Sequence, residues 1–129
     1  MSRLRDEGGQ AIVEFALVLP ILLMVVTGIV QFGIAFNHYL TLTDAVRAGA
    51  RVAAVSSDAA SPTPACNAVE AAAPTLGLVC GSTIQVTPSP DWSSGSTVTV
   101  SASSNYTISV FGLNVVTVPL SSSMSERIE

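Results

Sequence analysis

Few side chains in this sequence could do chemistry. It has one histidine, His38, two cysteines, Cys66 and Cys80, and nine acids against five basic residues, all of them arginine. Serines are plentiful, but a serine hydroxyl without a neighbouring base is not a nucleophile. No glycine-rich phosphate loop and no cluster of acids is present, so no catalytic constellation, cofactor site or small-molecule substrate is expected. One histidine and two cysteines do not make a zinc site. Cys66 and Cys80 instead frame a loop of about 15 residues, which a disulfide would stabilise by about 3 kcal/mol in an oxidising compartment; two free buried thiols are the alternative. The acid in the oddest place is Glu14, directly before a long apolar run. An acid at the edge of a membrane costs on the order of a few kcal/mol unless a cation pairs with it.

That run is the element that positions Glu14. Residues 15–36 carry no formal charge, and only Thr27 and Gln31 are clearly polar. About 20 such residues cross a bilayer core of roughly 30 Å as a helix. Pro20 and Gly28 lie within the span, and membrane helices tolerate both. Gly28, Gly33 and Ala35 offer places for close helix approach. Phe36, His38 and Tyr39 follow where an interfacial belt is expected. His38 reads as packing or interfacial rather than as a ligand. By count the flanking arginines tie, Arg3 and Arg5 against Arg47 and Arg51, and only the closer approach of the first pair to the apolar edge favours the N-terminus inside.

No breaker follows Tyr39. Leu42, Ala45, Val46, Gly49, Val52 and Ala53 form a narrow apolar stripe at helical spacing, so one helix is predicted over residues 10–55, about 70 Å long. Ser56 to Pro64 reads as a loop, and Asn67 to Ala73 as a short helix stopped by Pro74. After Gly81 the period changes to two. Thr83–Thr87, Thr97–Ala102, Tyr106–Phe111 and Val115–Leu120 read as three or four antiparallel strands, the last two joined by a turn at Gly112-Leu113-Asn114. A head of residues 56–129 is too small to bury much core alone, so its sheet is expected to borrow the apolar face of Leu40–Val55. Trp92 is assigned to head packing. The Asn105-Tyr106-Thr107 triplet fits a glycosylation pattern that chance often produces. The polar tail from Ser121 is expected to fray. The fold class is thus α+β: a long N-terminal transmembrane and amphipathic helix, then a small antiparallel β head. With a net charge of −4 and no basic patch, nucleic acid is excluded as a partner.

Gly9-Gln10-Ala11-Ile12-Val13-Glu14-Phe15 sets an acid five residues after a glycine and opens the apolar helix. This resembles the type IV prepilin processing site, where a prepilin peptidase cuts after glycine and the fifth mature residue is glutamate. The resemblance implies a leader of residues 1–9 and a product starting at Gln10, whose α-amine in a neighbouring subunit would pair with Glu14. Asp6 and Glu7 offset Arg3 and Arg5, a departure from the usual basic leader. Together with Gly28–Phe36 and the segment Asp44-Ala-Val-Arg-Ala-Gly-Ala-Arg-Val-Ala-Ala54, the pattern resembles the TadE-like minor pseudopilins of the Tad (tight adherence, Flp-type) pilus machinery. That resemblance implies a pilin-like protein of the bacterial cytoplasmic membrane, head outside, with Glu14 and Phe15 in subunit assembly. Its partners would be prepilin peptidase and other Tad pilus subunits. The alternatives are a signal-anchored extracytoplasmic binding module of unrelated function, or a secreted protein cut after Gly33-Ile34-Ala35.

Overall fold

The computed structural model describes residues 7–56, 61–110 and 112–129. Arg3, Arg5 and the body of the predicted leader lie outside them, as does Phe111. A helix α1, Glu7–Val55, is followed by a short helix α2, Thr63–Ala72, and a 3₁₀ turn, Pro74–Leu76. Three strands then follow: β1 Ile84–Ser89, β2 Thr97–Val110 and β3 Leu113–Arg127. They form one antiparallel sheet in the order β1-β2-β3. A long apolar helix with a small antiparallel sheet is the α+β arrangement that the change of period indicates.

At 49 residues α1 is about 74 Å long. Two compositions divide it. Residues 9–26 are exposed on every side although nearly all are apolar, and the helix is long and apolar enough to cross a membrane. Beyond Leu40 small residues take over, and one face is buried. Leu42, Ala45, Val46, Ala50 and Ala53 pack against Val69 of α2, Ile84 of β1, and Val98, Val100 and Ala102 of β2. Each fully buried Leu, Ile or Val contributes about 1.5–3 kcal/mol. The head therefore does borrow its core from the helix. Val52, placed on the stripe by spacing, lies at its exposed margin, while Ala50 and Ala54 are buried on the other side. Gly49 sits where α2 comes closest. A Cβ there would collide with Val69 Cγ2 and lie 3.1 Å from the Ala65 carbonyl oxygen.

α2 begins earlier than the prolines led us to expect. Pro62 is its N-cap and Pro64 sits in its first turn, where the missing N–H would be unpaired anyway. Cys66 is buried on this helix and is joined to Cys80, with Cα atoms 5.5 Å apart. The strands also correct the sequence reading. β2 is one strand through Ser103-Ser104-Asn105, because its even-numbered residues keep facing α1 without interruption. The tail does not fray: β3 pairs with β2 from Leu113 to Arg127. Ile128 is buried, and the Glu129 amide donates to the Ala54 carbonyl at 3.2 Å. That bond satisfies one of the carbonyls a helix end leaves without a partner.

Candidate functional site

The residues singled out by the prepilin resemblance lie on the exposed N-terminal part of α1. Helical geometry runs unbroken through Gly9 and Gln10, within the first turns after Glu7. Gly9 is exposed, and an added Cβ there would meet nothing within 4 Å. One turn on, Ala11, Glu14, Phe15 and Val18 line a shallow open recess. Glu14 forms no ion pair among the described residues, and Phe15 is 63% exposed. Glu14 is thus the one carboxylate in an otherwise apolar recess.

A second cluster was not visible in the sequence. Between residues 11 and 40 only Thr27, Gln31, Ala35 and His38 are partly buried. They fall on one helical face, at spacings of four, four and three residues. Facing them is the inner side of the β2–β3 hairpin. The Tyr106 hydroxyl donates to the Gln31 side-chain oxygen at 2.9 Å, and the Tyr106 ring meets His38 edge-on at 5.0 Å between centroids. Thr27 donates its hydroxyl to the Leu23 carbonyl at 2.8 Å. Both polar residues of the apolar run are thus satisfied, one within the helix and one by the head. His38, expected in an interfacial or packing role, packs against Tyr106. The signal that could have found this face is its run into the buried stripe: residues 31, 35, 38 and 42 continue to 46 and 49 at the same period.

The opposite face of the hairpin is a ladder of hydroxyls. Thr99 and Ser125 are bonded at 2.8 Å, and Thr107 and Thr117 at 3.1 Å. A groove lined by Ser101, Ser103, Ser121 and Ser123 opens beside the end of β1. It holds no acid or histidine, so it has no group to activate a hydroxyl. Among the described residues, no group of three or more His, Cys, Asp or Glu is placed to hold a metal ion. Elsewhere in the head, Asp91 accepts hydrogen bonds from the Ser93 and Ser96 hydroxyls and from the Ser93 amide. The Ser93 hydroxyl, then that of Ser96, holds its carboxyl below the usual 3.8. Trp92 beside it packs against the core.

A family model described as TadE-like protein matches residues 9–51, from the exposed glycine through the helix that the head covers. No curated protein and no solved structure matches the chain.

Proposed function

We propose, from the premise that residues 9–51 belong to the TadE-like family, that this protein is a minor pseudopilin acting in assembly of a Tad-type pilus. The family match ties the chain to the Tad pilus system, whose TadE-like members are structural and assembly proteins rather than enzymes. In this reading α1 anchors the protein in the bacterial cytoplasmic membrane with its N-terminus inside. Prepilin peptidase cuts between Gly9 and Gln10, and the head stands outside. The new α-amine of Gln10 in one subunit pairs with Glu14 of its neighbour. Either charge alone in an apolar layer is costly, so each drives the other's docking. Phe15 and the apolar surface around it supply the helix-to-helix contact.

The observation that carries this reading is the recess of Ala11, Glu14, Phe15 and Val18 on a stretch of helix, residues 9–26, that no described residue of the chain covers. An open apolar surface bearing one carboxylate, five residues after an accessible glycine, fits an assembly contact better than an inert anchor. The test is Glu14→Ala in cells that build the pilus. Membrane insertion persists and incorporation into pilus assemblies is lost; normal piliation would refute the pairing.

A further inference from the structure

The hairpin reaches a depth that an extracytoplasmic head would not need. β2 runs antiparallel to α1, from Val100 beside Gly49 to Tyr106 beside Gln31 and His38. Gln31 lies inside the apolar run of residues 15–36. From Tyr106 to Val110 the strand advances about 13 Å, or about nine residues of helix, which brings the tip level with Thr27, the last partly buried residue of the covered face. At that tip Leu113 is 73% exposed, Val115 64% and Val116 48%. Val115 stands out because the pairing slips between Ile108 and Ser109 and leaves it unmatched. No charged residue lies between Asp91 and Glu126 in sequence.

Two physical limits fix where such a tip sits. β1 pairs with residues 97–102 of β2 and the Ser103 amide donates to the Thr83 carbonyl, so the hairpin beyond Ser103 is a two-stranded ribbon with open edges. Open edges do not occur in hydrocarbon, where each unsatisfied backbone group costs several kcal/mol. The body of the ribbon, with Asn105, Thr107 and Thr117 outward, therefore stays in water or among headgroups. Its tip is apolar and held against the same helix that leads into lipid.

We propose that the β2–β3 hairpin is a membrane-contacting element. Leu113, Val115 and Val116 seat in the outer headgroup–acyl boundary, and the hairpin sets the depth of α1 so that hydrocarbon ends near Thr27–Gln31. The occupant of this apolar tip is lipid, because the tip's position along the transmembrane helix delivers it to the bilayer surface. About 20 residues then remain within the core, from Gln10 to about Val30, which matches its roughly 30 Å thickness. The span is displaced toward the N-terminus relative to residues 15–36, and Glu14 lies inside the inner edge. An uncharged tip owes nothing to anionic lipid.

This placement rests on α1 crossing the membrane, so the experiment reads both. The full chain carries one added cysteine at a time, Leu113→Cys, Val116→Cys, Leu22→Cys or Ser121→Cys. Each is labelled with a nitroxide and reconstituted into phosphatidylcholine vesicles with and without phosphatidylglycerol. Collision with dissolved oxygen is compared with collision with a water-soluble nickel chelate. Positions 113 and 116 are expected to favour oxygen, as Leu22 does, in both lipid mixtures, and Ser121 to favour nickel. Nickel-favouring labels at 113 and 116 beside an oxygen-favouring Leu22 overturn the placement alone. Labels shielded from both probes overturn it in favour of a protein contact. A nickel-favouring Leu22 removes the span and the placement together.

Discussion

Tyr106 and Gln31 are 75 residues apart in sequence, yet the tyrosine hydroxyl donates to the glutamine side chain at 2.9 Å. This contact ties the two-stranded part of the β2–β3 hairpin to α1 on the N-terminal side of the head's core. Tyr106→Phe removes the hydroxyl, keeps the ring against His38 and leaves Gln31 without its partner. A net loss of about 1 kcal/mol follows for one such hydrogen bond, about 4–8 °C in the melting midpoint of a domain this size. Amide hydrogen exchange should accelerate in the hairpin first. An unchanged midpoint and unchanged exchange at residues 104–110 would show that the bond does not hold the hairpin down.

Gly49 is the point of closest approach between α1 and α2. Alanine is a better helix former than glycine by about 1 kcal/mol, so an exposed site would gain from the change. Here the added Cβ meets Val69 and the Ala65 carbonyl oxygen, and overpacking of this kind costs about 1–3 kcal/mol. Gly49→Ala therefore lowers the head's stability in denaturant unfolding. A rise in stability would mean that α2 moves aside freely.

The Cys66–Cys80 bond pins α2 to the segment before β1. The double substitution Cys66→Ser, Cys80→Ser should cost about 3 kcal/mol, as expected for a closed loop of about 15 residues. On an unreduced gel the parent should migrate faster than its reduced form, and the double variant should not respond to reductant. A parent whose mobility ignores reductant would exclude the bond.

Much of this architecture is legible in the sequence because period carries it. The apolar run and the stripe through Leu42, Val46 and Ala53 define α1, and alternation defines the sheet. What period does not carry is contact between distant segments. Gln31 and Tyr106 have no local sign of one another. Ser103-Ser104-Asn105 has turn-like composition, yet a β strand needs only that inward positions remain compatible with the core. The tail is polar except for Met124 and Ile128, and its order comes from pairing with Thr97–Ser103 and from burial of Ile128, neither of which hydropathy reveals. Pro62 and Pro64 read as loop because proline breaks helices, but at the first turn it starts them. Gly9, Glu14 and Phe15 were singled out by their resemblance to a prepilin processing site, and they lie on a part of α1 that is exposed.

Asp91 gives the head an acid-sensitive joint. Its carboxyl is held below 3.8 by the Ser93 and Ser96 hydroxyls. A carboxyl whose pKa is lower folded than unfolded adds stability above the unfolded value, and that stability is lost as pH falls through the folded one. Thermal midpoints of the parent should therefore drop below about pH 4, and Asp91→Asn should flatten part of that drop while lowering the midpoint at neutral pH. An identical acid response in the variant would remove Asp91 from the account.

The central claim is that this chain follows the prepilin pathway, and the product's N-terminus tests it most directly. Intact mass and N-terminal sequencing of the membrane-associated protein, with and without active prepilin peptidase, should give a chain starting at Gln10 only when the peptidase is active. Gly9→Val should leave that chain uncut. A protein that keeps its leader in the presence of active peptidase, or that begins at Phe36 in the soluble fraction, would contradict the claim.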